Sequence, residues 1–363
     1  MRGANGPDIT VLSAAIGSVI PSADREDQPV NGATVWSAWT ADGEDSRLYQ
    51  AARAALAALL VARGIKRLWM PAYSCRVLVD GAFEARVEPV WYGVDAQLNA
   101  DVDAIFAGIA PDDAVLAIAW FGRPPDAAFQ TLANTCPGNL IIEDRAQALD
   151  PRGGIEGAIR LYSPRKLLGV GDGGLLVGSN LPPQPVEPAR PDLWGPNDNR
   201  RADADGRDPA SWFPAYQARE AAFDARPRRA SDRTAAALAR IGFDREAEAR
   251  RRNWRALAIP LADVALWPVS APDFAPLAFP VIVSDAADLV AYLASQRIWA
   301  ARHWADLASP AQYREAHELS RRCVSLPLDG RYDQEDMVRV ADAVRAFAAA
   351  GASDGPLQAA GAR

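Results

Sequence analysis

Cysteine and histidine are scarce in this chain of 363 residues. The three cysteines, Cys75, Cys136 and Cys323, lie far apart in the sequence, and the two histidines are His303 and His317. Such a set predicts neither a disulfide framework nor a metal site with Cys/His spacing. Free thiols are therefore expected, together with the reducing environment of the cytoplasm.

Long hydrophobic runs and an excess of positive charge are also lacking. The apolar stretch at residues 9–20 follows an aspartate and is interrupted by serines and a glycine, so neither a signal peptide nor a membrane span is predicted. The formal net charge of −7 argues against nucleic acid as the main partner. Local arginine clusters could still bind phosphate groups.

Lysine is almost absent. Of the 39 basic residues, Lys66 and Lys166 are lysines and the remaining 37 are arginines. Arginine cannot replace a lysine whose amine must lose its proton and attack a carbonyl group, because the guanidinium group stays charged at any working pH. Lys166, which precedes a glycine-rich turn at residues 171–174, is therefore a candidate for a Schiff base. A coding bias that left two lysines by chance is the alternative interpretation.

A carboxylate pair ends an apolar run upstream of Lys166. Residues 140–142 read Leu-Ile-Ile and predict a buried strand, so Asp144 is expected at the carboxyl end of that strand, where open α/β sheets bind ligands. A carboxylate there could keep the ring nitrogen of pyridoxal phosphate (PLP) protonated. The charged ring would then act as an electron sink, which is the basis of PLP chemistry.

These residues resemble a known family. The pattern Glu-Asp-x-Ala-Gln-Ala at 143–148, the lysine, and the turn Gly-Asp-Gly-Gly at 171–174 are similar to those of the DegT/DnrJ/EryC1/StrS sugar aminotransferases, which are fold-type I PLP enzymes. The resemblance implies that Lys166 forms the internal aldimine, that Asp144 pairs with the pyridine nitrogen, and that Gln147 lies near the phenolic oxygen. It also implies an α/β fold with a large, mostly parallel sheet domain and a smaller C-terminal α+β domain.

The resemblance points to further residues around the cofactor. The segment Ala-Arg-Ala-Ala-Leu at 52–56 is similar to the family segment whose backbone amides bind the PLP phosphate at a helix N-terminus, which makes Ala52 and Arg53 candidates. Ser74 is a candidate for a phosphate-side hydroxyl, and Tyr73 for stacking on the ring. An alanine-rich amphipathic helix and plain packing at a strand end are the alternatives.

Three phosphate-contacting positions depart from the family pattern. Alanines replace the usual Ser-Gly of the segment that includes Ala52. Leu161 stands where the family has a serine that contacts the phosphate, and Ser163 is expected to replace it. Pro227 stands where an asparagine reaches the PLP phosphate of the neighbouring subunit, and Arg228 or Arg229 could supply a charged contact instead. Because the family builds its site across a two-fold interface, the resemblance implies a homodimer.

Two residues are candidates for the substrate side of the site. Trp120 lies in a segment similar to the family's His-x-Phe-Gly, and His303 falls where members have a histidine near the substrate entrance. Plain packing of Trp120 and a surface position of His303 are the alternatives. His317, on a charged helix, is expected to be solvated.

Composition and patterning also divide the chain into segments. We expect an N-terminal arm at 1–44, a large PLP-binding domain at 45–258, a small C-terminal domain at 259–350 and a flexible tail at 351–363. Within the large domain, strand and helix patterns alternate, which predicts a parallel sheet with right-handed crossovers.

Three local predictions accompany this division. The arm is expected to be irregular, with Trp36 and Trp39 packed on the body of the protein. Alanines and leucines at helical spacing predict the first helix at residues 46–63. The stretch 180–207 is rich in Pro, Asp and Arg, and we expect a long loop that forms a flap over the site, a partner contact or a solvated linker.

The sequence thus predicts a PLP-dependent aminotransferase. By the resemblance, its acceptor is a keto-sugar carried on a nucleotide and its donor is glutamate or another amino acid. Another small ketone or aldehyde is one alternative substrate. A sugar dehydratase has histidine at the lysine position, so Lys166 argues against it. A non-catalytic regulator or scaffold is the remaining alternative, and the set of Asp144, Gln147 and Lys166 counts against it.

Overall fold

The computed structural model describes residues 13–23, 32–268 and 272–353. The predictions for the beginning of the arm at 1–12, for its part at 24–31 and for the tail from residue 354 lie outside these residues. Eleven strands and thirteen α-helices are found in the described part of the chain.

The strands are β1 (Ile16–Gly17), β2 (Ser46–Tyr49), β3 (Arg67–Pro71), β4 (Glu88–Tyr92), β5 (Asp113–Ile118), β6 (Leu140–Arg145), β7 (Ile159–Tyr162), β8 (Gly174–Val177), β9 (Ala278–Ile282), β10 (Ile298–Trp299) and β11 (Cys323–Pro327). The helices are α1 (Val35–Trp39), α2 (Ala52–Ala62), α3 (Arg76–Glu84), α4 (Val102–Gly108), α5 (Ala128–Thr135), α6 (Pro164–Leu167), α7 (Gly195–Ala202), α8 (Phe213–Ala222), α9 (Asp232–Leu238), α10 (Phe243–Ala258), α11 (Ala286–Ser295), α12 (Arg314–Arg322) and α13 (Gln334–Ser353).

A seven-stranded sheet in the order β2-β8-β7-β6-β5-β3-β4 forms the centre of the molecule. Strands β3 to β7 are parallel to one another, and β8 is antiparallel to both β7 and β2. The register pairs Asp144 of β6 with Ile118 of β5 and with Leu161 of β7. The carboxyl ends of these three strands therefore meet at one edge of the sheet, and the predicted, mostly parallel α/β fold is confirmed.

Apolar helices cover both faces of this sheet. Leu116 and Ile142 belong to a buried cluster that includes α2 and α3, whereas their neighbours Val115 and Ile141 belong to another that includes α4 and α5. Successive residues of a strand point to opposite faces, so the part of a strand that apolar layers cover on both sides is apolar at successive positions, as residues 114–118 and 140–142 are. This explains the uninterrupted apolar runs in β5 and β6.

A smaller α+β unit follows the large sheet. Strands β9 and β11 pair antiparallel, and α11, α12 and α13 accompany them along the chain. The rings of Trp254, on α10, and Phe279, on β9, lie 4.6 Å apart, so α10 packs directly on this unit. The predicted smaller C-terminal α+β part is confirmed.

The predicted helix at 46–63 was wrong over its first turn. Residues 46–49 form β2, which pairs with β8, and the helix begins only at Ala52. Helical spacing of alanine and leucine continues through this region, but the unpaired edge of β8 offers backbone hydrogen bonds that a helix could not use. The sheet edge therefore decides the conformation of β2.

The predicted loop at 180–207 was wrong in part, because it contains α7. The residues that α7 buries include Asn197 and Arg200, which are polar. Asn197 donates a hydrogen bond of 2.7 Å to the carbonyl oxygen of Ile20. A helix that packs through polar side chains has no apolar period, so hydrophobic patterning could not predict it.

The predicted arm is less irregular than expected. It contains β1 and α1, and Thr34 caps α1 by accepting a hydrogen bond from the backbone N–H of Ser37. Trp39 is buried, donates a 2.7 Å hydrogen bond from Nε1 to the carbonyl oxygen of Leu149, and stacks on Tyr162 at 4.4 Å. The predicted packing of Trp39 on the body is confirmed.

Two further observations concern the described residues as a whole. Cys75, Cys136 and Cys323 are free thiols, and none of the described helices is both long and apolar enough to cross a membrane. Within the same residues, no group of three histidine, cysteine or acidic side chains is arranged to hold a metal ion.

Candidate active site

A pocket opens at the edge of the sheet where β5, β6 and β7 end. Six of the residues predicted for the site line it together, which places the carboxylate, the lysine and the start of α2 in one cavity. The lining side chains are those of Ala52, Arg53, Cys75, Val77, Leu78, Ile118, Asp144, Ala146, Gln147, Ser163, Arg165, Lys166 and Trp304.

Asp144 is the buried acid of this pocket. Only 5% of the residue is exposed, and its Oδ1 accepts a 2.8 Å hydrogen bond from the backbone N–H of Ala146. Burial raises the pKa of Asp144, while the positive charge of Lys166 and the Ala146 hydrogen bond act in the opposite direction. A cationic group that met Oδ2 would further favour the charged carboxylate.

Lys166 lies on α6, a single turn that begins with Pro164 and follows β7. The lysine is exposed at the pocket, and its charge influences the pKa values of both Asp144 and His303. The three residues come from different parts of the chain, and the fold places both Asp144 and His303 within electrostatic reach of Lys166.

Gln147 presents a free donor to the pocket. Its Oε1 accepts a 2.7 Å hydrogen bond from the backbone N–H of Phe121, which fixes the orientation of the amide. Its Nε2 is buried and has no hydrogen-bond partner among the described residues. Because an unpartnered buried N–H group is costly, this atom indicates an acceptor that enters with a ligand.

The start of α2 and Ser163 form a donor-rich end of the pocket. The helix begins after Ala51, and no side chain caps its N-terminus. Ser163 is 1% exposed, and its Oγ is without a partner in the described structure. Free backbone N–H groups at a helix start, together with an unused hydroxyl, are suited to a phosphate group.

The glycine-rich turn supports this end of the pocket rather than lining it. A Cβ atom at Gly174 would lie 2.3 Å from backbone atoms of both Ala51 and Ala52, so only glycine allows the turn to approach α2. Asp172 in the same turn is buried and accepts hydrogen bonds of 2.7 and 2.8 Å from the backbone N–H and the Oγ of Ser231. Its carboxylate therefore fixes the beginning of α9.

Tyr73 and Ser74 are buried but are not among the lining residues. The hydroxyl group of Tyr73 donates to the carbonyl oxygen of His303, and the Tyr73 ring meets the edge of Trp304 at 5.0 Å. Ser74 Oγ is buried and has no partner in the described part of the chain. Tyr73 thus supports Trp304, which is the aromatic side chain that reaches the pocket.

Trp120 and His303 both contact Tyr73 and, like it, are not among the lining residues. Trp120 is 3% exposed and donates from Nε1 to the carbonyl oxygen of Tyr73 at 3.2 Å. His303 Nδ1 is 2.6 Å from Ser325 Oγ, and its ring is 5.9 Å from that of Phe121. Burial, and to a smaller extent the charge of Lys166, lower the pKa of His303 to about 4, so the imidazole is neutral at pH 7.

Arg229 does not line the pocket. It is exposed, and its backbone N–H donates to the carbonyl oxygen of Glu187 at 2.9 Å. The neighbouring Arg228 is buried and pairs with Asp224 and Glu187. The exposed Arg229 side chain is therefore the one that remains accessible to another molecule.

His317, expected to be solvated, is half-buried.

Several lining residues were not predicted from the sequence. Arg165, Cys75 and Trp304 line the pocket, and each is a chain neighbour of a predicted residue. Proximity to Lys166, to Ser74 and to His303 is the signal that could have identified them. Trp304 lines the pocket while the predicted His303 beside it does not, and only the folded protein distinguishes the two.

Known structures resemble this chain over most of its length. S. venezuelae DesV in complex with a ketimine intermediate has a TM-score of 0.65 and 20% identity, over 89% of this chain and 91% of DesV. A DegT DnrJ EryC1 StrS aminotransferase from Brucella abortus has a TM-score of 0.62 and 19% identity, over 89% and 92%. DesI in the presence of its TDP-sugar product has a TM-score of 0.65 and 19% identity, over 95% of both chains.

Neither a family model nor a curated protein sequence matches the chain. At an identity of 19 to 20%, similarity to solved structures establishes the fold, while activity depends on the residues of the site. The chain therefore has the fold of the DegT/DnrJ/EryC1/StrS sugar aminotransferases.

Proposed function

We propose that this protein is a PLP-dependent aminotransferase that moves an amino group from an amino acid to a keto-sugar. The observation that carries the proposal is a single pocket in which Lys166 accompanies the buried carboxylate of Asp144. When bound, PLP supplies a ring that withdraws electrons from the reacting carbon. The chain supplies the groups that position this ring and move protons.

The polar atoms of the pocket fit PLP. Oδ2 of Asp144 is available to a protonated ring nitrogen, since Oδ1 already accepts from Ala146. Nε2 of Gln147 is buried without a partner in the described structure and can donate to a phenolic oxygen. Oγ of Ser163 and the uncapped start of α2 can donate to a phosphate group.

Two ionisable side chains divide the proton chemistry between them. Asp144, ionised beside a ring nitrogen, would keep that nitrogen protonated. Lys166 Nζ would take the proton from Cα of the amino acid donor, because its amine can be neutral where a guanidinium group cannot. The nearby His303 carries no charge at pH 7, so it adds no second cation beside the lysine.

The substrate class is the finer part of this proposal. DesI, which has this fold, was solved in the presence of its TDP-sugar product, and this supports a keto-sugar carried on a nucleotide as the acceptor. Another small ketone or aldehyde is the alternative. The homodimer that the sequence resemblance implies and the cytoplasmic location that the cysteine content predicts belong to the same proposal, and the exposed Arg229 is available to a neighbouring subunit.

The scarcity of lysine makes the central test direct. Wild-type protein incubated with PLP and reduced with borohydride should carry PLP on the peptide that contains Lys166, detected by mass spectrometry and by visible absorbance. Lys166→Ala should carry none, while Lys66→Ala, which removes an exposed lysine outside the pocket lining, should behave as wild type. Labelling of Lys166→Ala, or no PLP uptake by wild type, would contradict the proposal.

A second measurement addresses the reaction itself. Wild-type protein loaded with PLP and mixed with single amino acids should release the keto acid of its donor, at a rate that falls at least about 100-fold in Lys166→Ala. Addition of a nucleotide-linked keto-sugar should then give the amino-sugar, detected by mass. If amino acids are converted but only simple ketones accept the amino group, the keto-sugar assignment is wrong and the transaminase assignment stands.

A further inference from the structure

Helix α8 and the residue that follows it contact both arginines that line the pocket. Its Glu220 forms an ion pair with Arg165, and the ring of Phe223, the residue after α8, lies 4.6 Å from the Arg165 guanidinium carbon. The carbonyl oxygen of Phe223 accepts a 3.1 Å hydrogen bond from Nη1 of Arg53. The two guanidinium groups therefore connect α8 to the pocket.

The same arginines stand among donors that have no acceptor. Nε of Arg165 and Nε of Arg53 are buried without hydrogen-bond partners in the described structure, as is Oγ of Ser163. The Arg165 side chain is 91% buried, since 9% of its surface is exposed. The uncapped N-terminus of the 11-residue α2 adds backbone donors and partial positive charge. We call the start of α2, Ser163 and Arg165 the anion subsite.

The charges of Arg53 and Arg165 act on each other at this subsite. Burial is the main cause that lowers the pKa of Arg53, and the charge of Arg165 lowers it further. Among the acidic groups that act against this, Glu220 is the one that pairs with Arg165. Glu220 also lies 3.3 Å from Nη2 of Arg219, a buried side chain that anchors α8 to the carbonyl oxygen of Leu193. The carboxylate of α8 thus supplies negative charge from outside the pocket.

We propose that Glu220 competes with phosphate groups for Arg165. In the anion-free protein Glu220 neutralises Arg165 and fixes α8. A phosphate group that enters the anion subsite pairs with Arg165, releases Glu220 and loosens α8. Anion binding and the mobility of α8 are then thermodynamically coupled, because the anion and Glu220 pair with the same guanidinium group. The inference rests on the proposed function only in taking the phosphate of PLP as the natural anion.

Hydrogen exchange of α8 in the full-length protein tests this coupling. Inorganic phosphate should accelerate exchange in the peptide covering α8 of wild-type protein. A titration of this effect with phosphate gives the dissociation constant of phosphate. Glu220→Gln should show fast exchange in α8 without phosphate and should bind phosphate about fivefold more tightly, the size expected when a partly exposed ion pair no longer competes. Glu248→Gln, in an exposed pair with Arg255 on α10, is the matched control and should match wild type.

Further ligands identify the source of the anion. PLP should accelerate exchange in α8 as phosphate does, and pyridoxal, which lacks the phosphate group, should not. If a nucleoside diphosphate accelerates α8 exchange in protein that already carries reduced PLP, the substrate rather than the cofactor supplies the anion. Arg165→Met should bind inorganic phosphate more weakly than wild type, whether the cofactor or the substrate supplies the natural anion.

Two results would overturn the competition. One is phosphate affinity of Glu220→Gln equal to or weaker than that of wild type, confirmed with Glu220→Ala and with near-ultraviolet circular dichroism as a check of folding. The other is α8 exchange that phosphate leaves unchanged or slows. Borohydride labelling of Lys166 is read independently, so the coupling can fail while the aminotransferase proposal stands, and the reverse.

Discussion

At the residue scale, burial acts in opposite directions on the two titratable groups beside Lys166. It raises the pKa of Asp144, because the charged carboxylate loses water, and it lowers the pKa of His303, because the charged imidazolium does. Neighbouring positive charge therefore favours the ionised form of the acid against the effect of burial, whereas at the histidine both burial and the Lys166 charge favour the neutral form. The pocket thus favours a cationic ligand group near Asp144.

His303 predicts a dependence of stability on pH. Its pKa in the folded protein is about 4, below the ordinary 6.5, so between these values the unfolded protein binds more protons. The contribution of neutral His303 to the free energy of unfolding is fully present above pH 6.5 and is lost as the pH falls towards 4. This loss is at most about 3 kcal/mol, because His303 is partly exposed. In urea denaturation, the free energy of unfolding should differ less between pH 7.5 and pH 5 for His303→Asn than for wild type.

The remaining histidine is the control for this measurement. His317→Asn, on α12, should keep the wild-type difference in free energy of unfolding between the two pH values, because it leaves His303 and its contacts unchanged. An unchanged pH dependence in His303→Asn would show that burial does not disfavour its charged form in solution.

At the element scale, the glycine-rich turn and α2 depend on each other. Gly173 and Ala51 form a bridge, and the turn leads directly into β8. The sequence resemblance includes this turn among the motifs of the site, but the glycines of the turn allow the close approach of two backbones. The position of the end of the pocket where we propose that phosphate binds therefore depends on residues that do not line it.

Gly174→Ala should weaken both the fold and phosphate binding. The added Cβ would lie 2.3 Å from backbone atoms of Ala51 and Ala52, which cannot move aside as a flexible side chain could. We expect a loss of about 2 to 3 kcal/mol in urea denaturation and weaker binding of inorganic phosphate, because the start of α2 is displaced. Gly138→Ala, where a Cβ meets nothing within 4 Å, should keep wild-type stability and phosphate affinity.

At the scale of the whole molecule, residues 13–23 connect distant parts of the chain. Strand β1 pairs with β10, and the backbone N–H of Gly17 donates to the hydroxyl group of Tyr332 at 2.6 Å. At the other end of the segment, the backbone N–H of Ala23 donates to the carbonyl oxygen of Gly169 at 2.8 Å. Gly169 follows Lys166 closely, so the segment joins the C-terminal part of the protein to the lysine loop.

Removal of this segment should destabilise the protein as a whole. A chain that begins at residue 24 should be less stable than one that begins at residue 13 by about 4 kcal/mol, mainly because Ile16 and Val19 are buried. Thermal and urea denaturation of the two chains measure the difference, and the shared absence of residues 1–12 makes them a matched pair. Equal stability would mean that the contacts of residues 13–23 do not hold in solution.

Sequence alone determined the parts of this protein that depend on local pattern. The apolar runs of β5 and β6 predicted a buried parallel sheet, and the acid after one run and the rare lysine predicted two groups that share the pocket. A period of apolar residues records burial directly, and a carboxylate after such a run has few positions to occupy in an α/β fold. The division into domains at residue 258, the tail and the homodimer stay predictions.

Tertiary structure decided what depends on partners far apart in the chain. Pairing with β8 made residues 46–49 a strand, and polar packing made 195–202 a helix. Trp304 lines the pocket while Tyr73 stands behind it, and Glu220 meets Arg165 across the fold. Each outcome follows from hydrogen bonds, ion pairs or ring contacts between segments whose separation in sequence leaves no periodic trace.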